Sequence, residues 1–156
     1  MSKKILVAFD DSENAMRAVA YIAKLLTRDC RITVFSVVPD TAAICAMQSP
    51  ELTPYFKAQQ ESLCVLEDKK REILTAAQLK AKALLLENGF KEDQIRNKAE
   101  QKKKGIARDI AAEAKAGYDL VVMGRRGLSG IKELFMGSIS QKVLTLAMDV
   151  PILLVN

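Results

Sequence analysis

Histidine is missing from all 156 residues of this chain, and proline and glycine are scarce, at 4 and 7 residues. Without histidine the chain lacks the usual general base near neutral pH, the Ser-His-Asp type of triad and the commonest transition-metal ligand. This absence weighs against hydrolytic catalysis. With 49% hydrophobic and 28% charged residues, the composition excludes the disordered and fibrous classes and is typical of a compact globular protein.

Long apolar segments are also absent at the start of the chain. The first apolar run covers residues 5–9 before Asp10 and Asp11 interrupt it, which is too short for a signal peptide or a membrane span. We therefore expect a cytoplasmic protein that does not enter the membrane. A chain of this length is most simply one domain, residues 1–156, and can bury a core, because folding removes about 70% of the unfolded surface from water at this size.

Cysteine is limited to three widely spaced residues, Cys30, Cys45 and Cys64, without a C-x-x-C pair. An odd number at such spacings indicates neither a disulfide framework nor a zinc site. We expect reduced thiols in a cell interior, with Cys45 and Cys64 serving as packing residues.

Positive charge is concentrated near the middle of the chain. The net charge is +5, and four lysines fall within seven residues: Lys98, Lys102, Lys103 and Lys104. Such a cluster favours anionic ligands, although charge runs of this kind are usually solvated turns. A basic face that binds nucleic acid or an acidic partner is therefore the alternative function for this chain.

Strand and helix patterns alternate along the chain. Apolar or branched runs predict strands at residues 4–9, 31–38, 119–123 and 150–155, with a weak strand at 94–100 that suits a sheet edge. Apolar spacings of three and four predict helices over residues 12–28, 55–88 and 106–114, and a last helix that begins near Ser138. Residues 40–54 are expected to form a loop.

The alternation predicts an α/β fold, a parallel sheet with helices on both faces and right-handed crossovers. The helix over residues 55–88, or two helices in succession, is unusually long for a domain of this size. We expect its first turns to break, splay away or cover a neighbouring subunit. The proline at position 151 indicates that the last strand lies at a sheet edge.

The segment after the fourth predicted strand carries the main functional signal. Gly124 and Gly127 follow that strand closely, and Gly137 stands at the start of the last helix. Glycine lets the backbone approach a ligand where a side chain would collide, and the first turn of a helix offers N–H groups to an anion. Arg125 and Arg126 add positive charge or are solvated loop residues. The segment is a candidate phosphate cradle, unless the glycines serve only a tight connection and a helix cap.

A crevice is expected where the strand order of such a sheet reverses, beyond the carboxyl ends of the strands. Asp10, after the first strand, and Gly124 would face the same crevice. Asp10 and Asp11 also have a purely structural interpretation, as caps of the helix that follows. Neither a Walker A sequence nor a G-x-G-x-x-G fingerprint occurs.

The spacing Gly124-x2-Gly127-x9-Gly137-Ser138 resembles the G-2x-G-9x-G-[S/T] signature of the nucleotide-binding branch of the universal stress protein family. Residues 4–12, 119–124 and 150–155 resemble that family as well. The resemblance implies a doubly wound five-stranded parallel sheet of order 3-2-1-4-5 and a homodimer through the C-terminal strand. It also implies an adenine nucleotide in the crevice, as ATP, ADP or AMP, with or without Mg²⁺.

The resemblance assigns roles to residues at the two ends of the crevice. Ala8, Phe9 and Asp10 resemble the adenine and ribose end, with Val37 as an apolar contact, and Met123 and Gly124 continue the wall toward the ribose. The implied phosphate contacts, made through backbone N–H groups and two hydroxyls, are Gly127, Gly137, Ser138, Ile139 and Ser140.

Two features depart from the family pattern. Arg125-Arg126 stands where the family often has Ser or His, and is expected to strengthen phosphate binding. Lys102-Lys-Lys-Gly105 lacks the family's Gly-Pro-like entry to the following helix, which affects local geometry. The function that the resemblance implies is an ATP- or AMP-binding stress-response or signalling module with slow or absent hydrolysis. A true ATPase is a further hypothesis.

Overall fold

Five parallel strands form one sheet in the computed structural model, which describes residues 1–47, 53–126 and 136–156. The strands are β1 (Lys4–Ala8), β2 (Arg31–Val38), β3 (Ile95–Gln101), β4 (Leu120–Gly124) and β5 (Ile152–Val155). Their order is β3-β2-β1-β4-β5. The predicted doubly wound sheet is therefore confirmed.

The polarity of each strand matches its place in the sheet. Four of the five residues of β1 are buried, and β1 pairs with β2 on one side and β4 on the other. In contrast, β3 has one buried residue, Ile95, among partly buried and exposed ones, and it lies at one edge, as predicted. At the other edge β5 begins directly after Pro151, whose carbonyl oxygen accepts a hydrogen bond from Val121 N at 2.9 Å.

Helices cover both faces of the sheet. They are α1 (Glu13–Leu25), α2 (Ala42–Ala46), α3 (Pro54–Glu87), α4 (Ile106–Ala114) and α5 (Ser138–Leu146). The apolar stripe of α1 and the second half of α3 pack on one face of the sheet. The stripes of α4 and α5 pack on the opposite face. At the start of α1, Ser12 Oγ accepts a hydrogen bond from Ala15 N at 3.1 Å, which fixes the point where the chain leaves β1.

Two predictions differ from the structure by more than a shift of one or two residues. The first helix ends at Leu25 rather than near Arg28, because a polar turn follows in which the Thr27 hydroxyl bonds to the Asp29 carboxylate. Residues 40–54 were expected to be a loop, but they include α2, a short helix with no buried side chain. Its bonds to α3 hold it in place.

The predicted long helix is one continuous element. With 34 residues, α3 spans about 51 Å at 1.5 Å per residue. Its first buried residue is Glu67, so the turns before that point lie beyond the packed body of the protein. Among the described residues, no helix is both long and apolar enough to cross a membrane.

A disulfide bond between Cys45 and Cys64 joins α2 to α3. The expectation of reduced thiols is therefore wrong for these two residues, and Cys30 is the free, buried cysteine. The bond forms because α2 folds back onto α3, where Gln60 Nε2 also donates a hydrogen bond to Met47 O at 3.0 Å. This contact brings two α-carbons to 5.9 Å across 19 positions of sequence, which spacing alone does not reveal.

Candidate functional site

A cavity of about 570 Å³ opens at the carboxyl ends of β1, β2 and β4. Small-molecule sites typically measure roughly 300 to 1,000 Å³. The position follows from the topology, because the chain leaves β1 toward one face of the sheet and leaves β4 toward the other. The cavity therefore lies at the predicted crevice.

Most of the predicted site residues line this cavity. They are Ala8, Phe9, Asp10, Val37, Met123, Gly124, Arg126, Gly137, Ser138, Ile139 and Ser140. Arg125 is not among the described residues of the lining. Its backbone N–H donates to Val155 O at 2.8 Å, and its carbonyl oxygen accepts from Gly137 N at 2.9 Å. Gly127 lies outside the described residues, so its predicted contact stays a prediction.

The first turn of α5 opens into the cavity. Gly137 occupies the N-cap position and provides no capping side chain. The first backbone bond of the helix runs from Gln141 N to Gly137 O at 3.0 Å. The N–H groups of Ser138, Ile139 and Ser140 consequently have no acceptor within the helix, and they lie at the positive end of its dipole. This arrangement can bind an anion.

Ser140 holds α5 against the end of β4. Its hydroxyl donates a hydrogen bond to Gly124 O at 2.9 Å, and the side chain is buried. A serine hydroxyl has one proton to donate. While that bond is present, Ser140 can offer a phosphate only its backbone N–H, whereas the exposed side chain of Ser138 remains available.

Gly124 is required for packing as well as for the cavity wall. A β-carbon at this position would lie 2.9 Å from Asn14 Cβ and 3.1 Å from Arg126 O. Both separations are shorter than normal contact distances, so the end of β4 can meet the start of α1 only without a side chain. The structural interpretation of this glycine, a tight connection, therefore holds beside the functional one.

Arg126 supplies positive charge to the same end of the cavity. Its side chain lines the cavity, and its Nε is buried without a hydrogen-bond partner among the described residues. A buried N–H of a guanidinium group is costly to leave unpaired, by roughly 1 to 3 kcal/mol or more. An anionic ligand would satisfy it.

Apolar side chains form the opposite end of the cavity. Val37 and Val38 come from β2, Ile106 and Ile110 from α4, and Leu74 from α3. Sequence reasoning identified only Val37 of these five. Leu74, Ile106 and Ile110 belong to helical stripes that the sequence shows, but a periodic pattern does not show which turn of a helix reaches a neighbouring strand.

Two basic residues of α3, Lys70 and Arg71, also line the apolar end of the cavity. The prediction missed both, since they lie more than fifty positions before the glycine motif. The only signal was the run Lys69-Lys70-Arg71 within a helix. Such a run is most often solvated.

Asp10 has a structural role at the edge of the cavity. Its Oδ1 accepts a hydrogen bond from Ser12 N at 3.0 Å, which supports the turn into α1. A carboxylate has a second oxygen, so the residue can cap the turn and still accept a hydrogen bond from a ligand hydroxyl. The two interpretations of Asp10 are thus compatible.

The lysine cluster near the middle of the chain is partly neutralised. Lys98 Nζ lies 2.7 Å from Glu113 Oε2 and 2.9 Å from Glu100 Oε1, and Lys103 Nζ lies 3.4 Å from Glu100 Oε2. The hydrogen bond to Glu113, followed by that to Glu100, raises the pKa of Lys98. These pairs leave less free positive charge for nucleic acid than the sequence indicates.

Residues 102–105, which lack the family's Gly-Pro-like entry to the next helix, are held in place by Asp109 of α4. The carboxylate of Asp109 accepts hydrogen bonds from Lys103 N at 2.7 Å and Lys104 N at 3.0 Å. Gly105 adopts a φ of 132° at the start of α4, a conformation that L side chains rarely adopt. The entry to α4 is therefore fixed by a carboxylate and a glycine.

Comparison with known proteins identifies the fold's relatives. The model of the universal stress protein family, Usp, matches residues 1–156, the whole chain. The chain belongs to the universal stress protein family. It is 32% identical over 160 residues to the "Universal stress protein in QAH/OAS sulfhydrylase 3'region" of Thermus aquaticus, and the match covers 100% of both chains.

Solved universal stress protein structures share the fold. The chain superposes on the universal stress protein UspA from Lactobacillus plantarum with a TM-score of 0.73 and 20% identity, over 99% of this chain and 97% of that one. A universal stress protein solved in complex with cAMP gives a TM-score of 0.60 and 18% identity, over 99% and 97% of the two chains. At these identities the likeness establishes architecture alone.

Proposed function

We propose that this universal stress protein binds an adenine nucleotide, ATP, ADP or AMP, in the cavity at the carboxyl ends of β1, β2 and β4. Under this proposal the protein belongs to the nucleotide-binding branch of the family. It acts as a stress-response or signalling module that hydrolyses ATP slowly or not at all. The observation that carries the proposal is that the open first turn of α5 and an apolar wall from β2 and α4 meet in one cavity.

The α5 end of the cavity provides the phosphate contacts. Ser138, Ile139 and Ser140 line the same cavity as Arg126, and their N–H groups have no acceptor within α5. The buried Nε of Arg126 has no partner within the described part of the chain. A charge at a helix N-terminus contributes about 0.3 to 1 kcal/mol, and up to about 2 when partly buried. Micromolar affinity requires about 8 kcal/mol. The phosphate contacts therefore need a second source of binding energy.

The apolar end supplies that second source. A purine that lies among Val37, Val38 and Ile110 removes apolar surface from water, at roughly 25 cal/mol per Å². Ala8 at the end of β1 and Asp10 just after it lie between the two ends, where the ribose would be placed. The cAMP complex of a protein with the same fold supports a nucleotide ligand for this cavity.

A Mg²⁺ ion would enter this site together with the phosphate chain. The described residues include no group of three or more side chains with the oxygen, nitrogen or sulfur donors to hold a metal ion. Mg²⁺ commonly binds through substrate phosphates with one or two carboxylates. Asp10 and Asp11 are the carboxylates in the described lining of the cavity.

We further propose that the chain, as one domain of residues 1–156, forms a homodimer through β5 in the cytoplasm. The strand is an edge, with backbone groups on its outer side available for pairing, and Ile152, Leu153 and Leu154 are half-buried. The measurement is the mass in solution at micromolar concentration by light scattering. A monomer at that concentration would refute the dimer without affecting the nucleotide site.

The nucleotide proposal is tested by direct binding. Purified protein is denatured, the released small molecules are identified by mass spectrometry, and ATP, ADP and AMP are titrated into refolded or stripped protein by calorimetry. We expect an adenine nucleotide in the released fraction and an increase in melting temperature with added ATP, because a ligand of the folded state stabilises it.

Gly137→Asp provides the decisive variant. Aspartate is a preferred N-cap residue, and the φ of −67° at position 137 suits it, so the helix is retained while a negative charge enters the phosphate end. Gly137→Asn is the matched control, with the same shape and no charge. We expect the aspartate variant to lose at least tenfold more ATP affinity than the asparagine variant. No melting shift with millimolar ATP for the wild-type protein would defeat the proposal.

Phosphate release distinguishes the ATPase hypothesis. A true ATPase activity would copurify with the protein and disappear in Gly137→Asp. We expect release close to the uncatalysed rate, since the chain has no histidine to act as a base.

A further inference from the structure

We propose that Lys70 and Arg71 of α3 form a second anion subsite, at the end of the cavity opposite α5, and that the preferred ligand is an adenine nucleotide with an additional phosphate on its ribose. This inference rests on the nucleotide site proposed above. It concerns which nucleotide the cavity selects, and the test below separates the two.

The sheet order places the two basic ends of the cavity apart. Arg126 follows β4, while Arg71 is bonded to the residue after β2, where its Nη2 donates to Pro39 O at 3.0 Å. Because β1 lies between β2 and β4, and adjacent strands are about 4.8 Å apart, the two ends are separated by roughly 10 Å. That separation leaves room for a separate phosphate group at each end.

The middle of the cavity carries the opposite charge. Asp10 and Asp11 follow β1 and line the cavity between the two basic ends. A plain 5′-nucleotide has all its negative charge on one chain, which the α5 end can bind. The cations on α3 would then face an uncharged base and ribose. A second phosphate on the 2′ or 3′ oxygen of the ribose would give them a partner.

Lys70 is held in place and still has hydrogen atoms to donate. Its Nζ lies 3.2 Å from Glu67 Oε1, which uses one of the three N–H donors of the ammonium group. The side chain of Lys70 is 57% exposed at the cavity rim, so the other two can reach a ligand.

Glu67 is a positioning residue in this arrangement. It is buried, and its Oε2 has no hydrogen-bond partner among the described residues. A buried carboxylate with one unsatisfied oxygen is unfavourable by itself. The carboxylate of Glu67, one turn before Lys70, holds the Lys70 ammonium group at the cavity rather than in bulk solvent.

Arg71 combines an anchoring role with free donors. One of its five N–H groups bonds to Pro39 O, which fixes the guanidinium group beside the end of β2. The remaining donors suit a phosphate, because guanidinium binds phosphate oxygens in pairs. Arg71 thus offers a ligand a fixed contact, and the more exposed Lys70 offers an adjustable one.

The test compares isomeric ligands with the same base. Each bisphosphate has two monoester phosphates and carries about one more negative charge than ADP near neutral pH, so matched lysine variants are needed to separate the subsite from a general charge effect. Adenosine 3′,5′-bisphosphate, adenosine 2′,5′-bisphosphate and ADP each have two phosphate groups, which differ only in position. Calorimetric affinities are measured for the wild-type protein, Lys70→Met and Lys69→Met. Lys69 is the adjacent exposed lysine, which is not among the described residues that line the cavity, so it controls for net charge.

We expect the wild-type protein to bind one of the two bisphosphates about threefold or more tightly than ADP, as for a partly exposed ion pair. Lys70→Met should abolish this preference by weakening bisphosphate binding more than ADP binding, whereas Lys69→Met should retain the preference. The preference should also shrink in about 1 M salt, where the screening length falls to about 3 Å.

Each outcome decides the inference. A wild-type protein that binds ADP as tightly as both bisphosphates, or a Lys70→Met variant that keeps the preference, overturns the subsite while the nucleotide site stands. Absence of binding by all three ligands refutes both proposals. Binding of a bisphosphate with weak or no ADP binding supports the subsite.

Discussion

The hydroxyl of Ser140, in the first turn of α5, donates a hydrogen bond to the carbonyl oxygen of Gly124 at the end of β4, at 2.9 Å. The two residues are 16 positions apart, and the bond is buried. It fastens the helix whose N–H groups open into the cavity to the strand that forms the cavity wall. The geometry of the proposed phosphate end therefore depends on a side chain that the sequence assigned to the ligand.

Replacement of Ser140 by alanine should destabilise the protein without abolishing nucleotide binding. The change leaves Gly124 O buried without this donor, so the free energy of unfolding should fall by about 1 kcal/mol, or somewhat more. Denaturant unfolding measures the loss, with the exposed Ser138→Ala as the control. Equal stability of the two variants would contradict the structural role of Ser140.

Replacement of Gly124 by alanine should destabilise the protein through its contact with Asn14. The added methyl group would lie 2.9 Å from Asn14 Cβ and 3.0 Å from Asn14 C, so backbone atoms have to shift. We expect a loss of about 1 to 3 kcal/mol in the free energy of unfolding. In a double-mutant cycle, Asn14→Gly should recover part of that loss because it removes one of the two contacts. Strict additivity of the two changes would show that the contact is not the cause.

Reduction of the Cys45–Cys64 bond should release α2 and the first turns of α3 while the sheet stays folded. No side chain of α2 is buried, and α3 has none buried before Glu67, so the bond supplies much of the local order. Closure of a loop of this length by a disulfide contributes about 3 kcal/mol. Hydrogen exchange with and without a dithiol reductant measures the effect.

Two controls define the disulfide experiment. The double variant Cys45→Ser/Cys64→Ser should exchange, with or without reductant, as fast as the wild-type protein does after reduction. Cys30→Ser should behave as the wild-type protein does, since Cys30 is free and buried. Amides of β1 and β4 should remain protected throughout. Protection of α2 that does not change on reduction would rule out this account of its stability.

Acid should destabilise the protein through Asp109 and Glu100. Burial by itself raises the pKa of Asp109, but backbone hydrogen bonds from Lys103, Lys104 and Gly105 outweigh it and lower the pKa. The hydrogen bond from Lys98 lowers the pKa of Glu100. In both cases the unfolded chain takes up protons first as the pH falls.

The resulting stability is present above the unfolded pKa values and is lost as the pH falls through the folded ones. The window therefore lies below the ordinary values of 4.5 for Glu100 and 3.8 for Asp109. Unfolding free energies measured between neutral pH and about pH 3 should decline less steeply for Asp109→Asn and Glu100→Gln than for the wild-type protein. Asp68→Asn, on an exposed turn of α3, is the charge control. If the free energy of unfolding declines with falling pH at the same slope in all four proteins, the prediction is contradicted.

Much of the architecture could be predicted because strands and helices depend on local patterns. Residues 31–38 are branched and apolar, and they form β2 at those bounds. The weak pattern at residues 94–100 indicated an edge strand, and β3 is at the edge, since a strand with one neighbour tolerates polar residues on both faces.

Other features depend on contacts that no local pattern encodes. The Cys45–Cys64 bond, the hydrogen bond from Ser140 to Gly124 and the position of Arg71 beside Pro39 each join separate elements. The family resemblance placed Ser140 among the ligand contacts, and a serine hydroxyl can donate to a phosphate as well as to a carbonyl oxygen. Only the structure shows that the hydroxyl proton of Ser140 is used in the hydrogen bond to Gly124 O.

The sequence by itself determined the order of strands and helices, the parallel sheet and the position of Gly124 at its carboxyl edge, because hydrophobic periodicity and turn residues act over a few positions. Tertiary structure alone decided which side chains share the cavity. Lys70 and Gly137 lie far apart along the chain and meet at one cavity because α3 and α5 pack on opposite faces of the same sheet. Such a meeting depends on the packing of whole elements, which short-range preferences leave open.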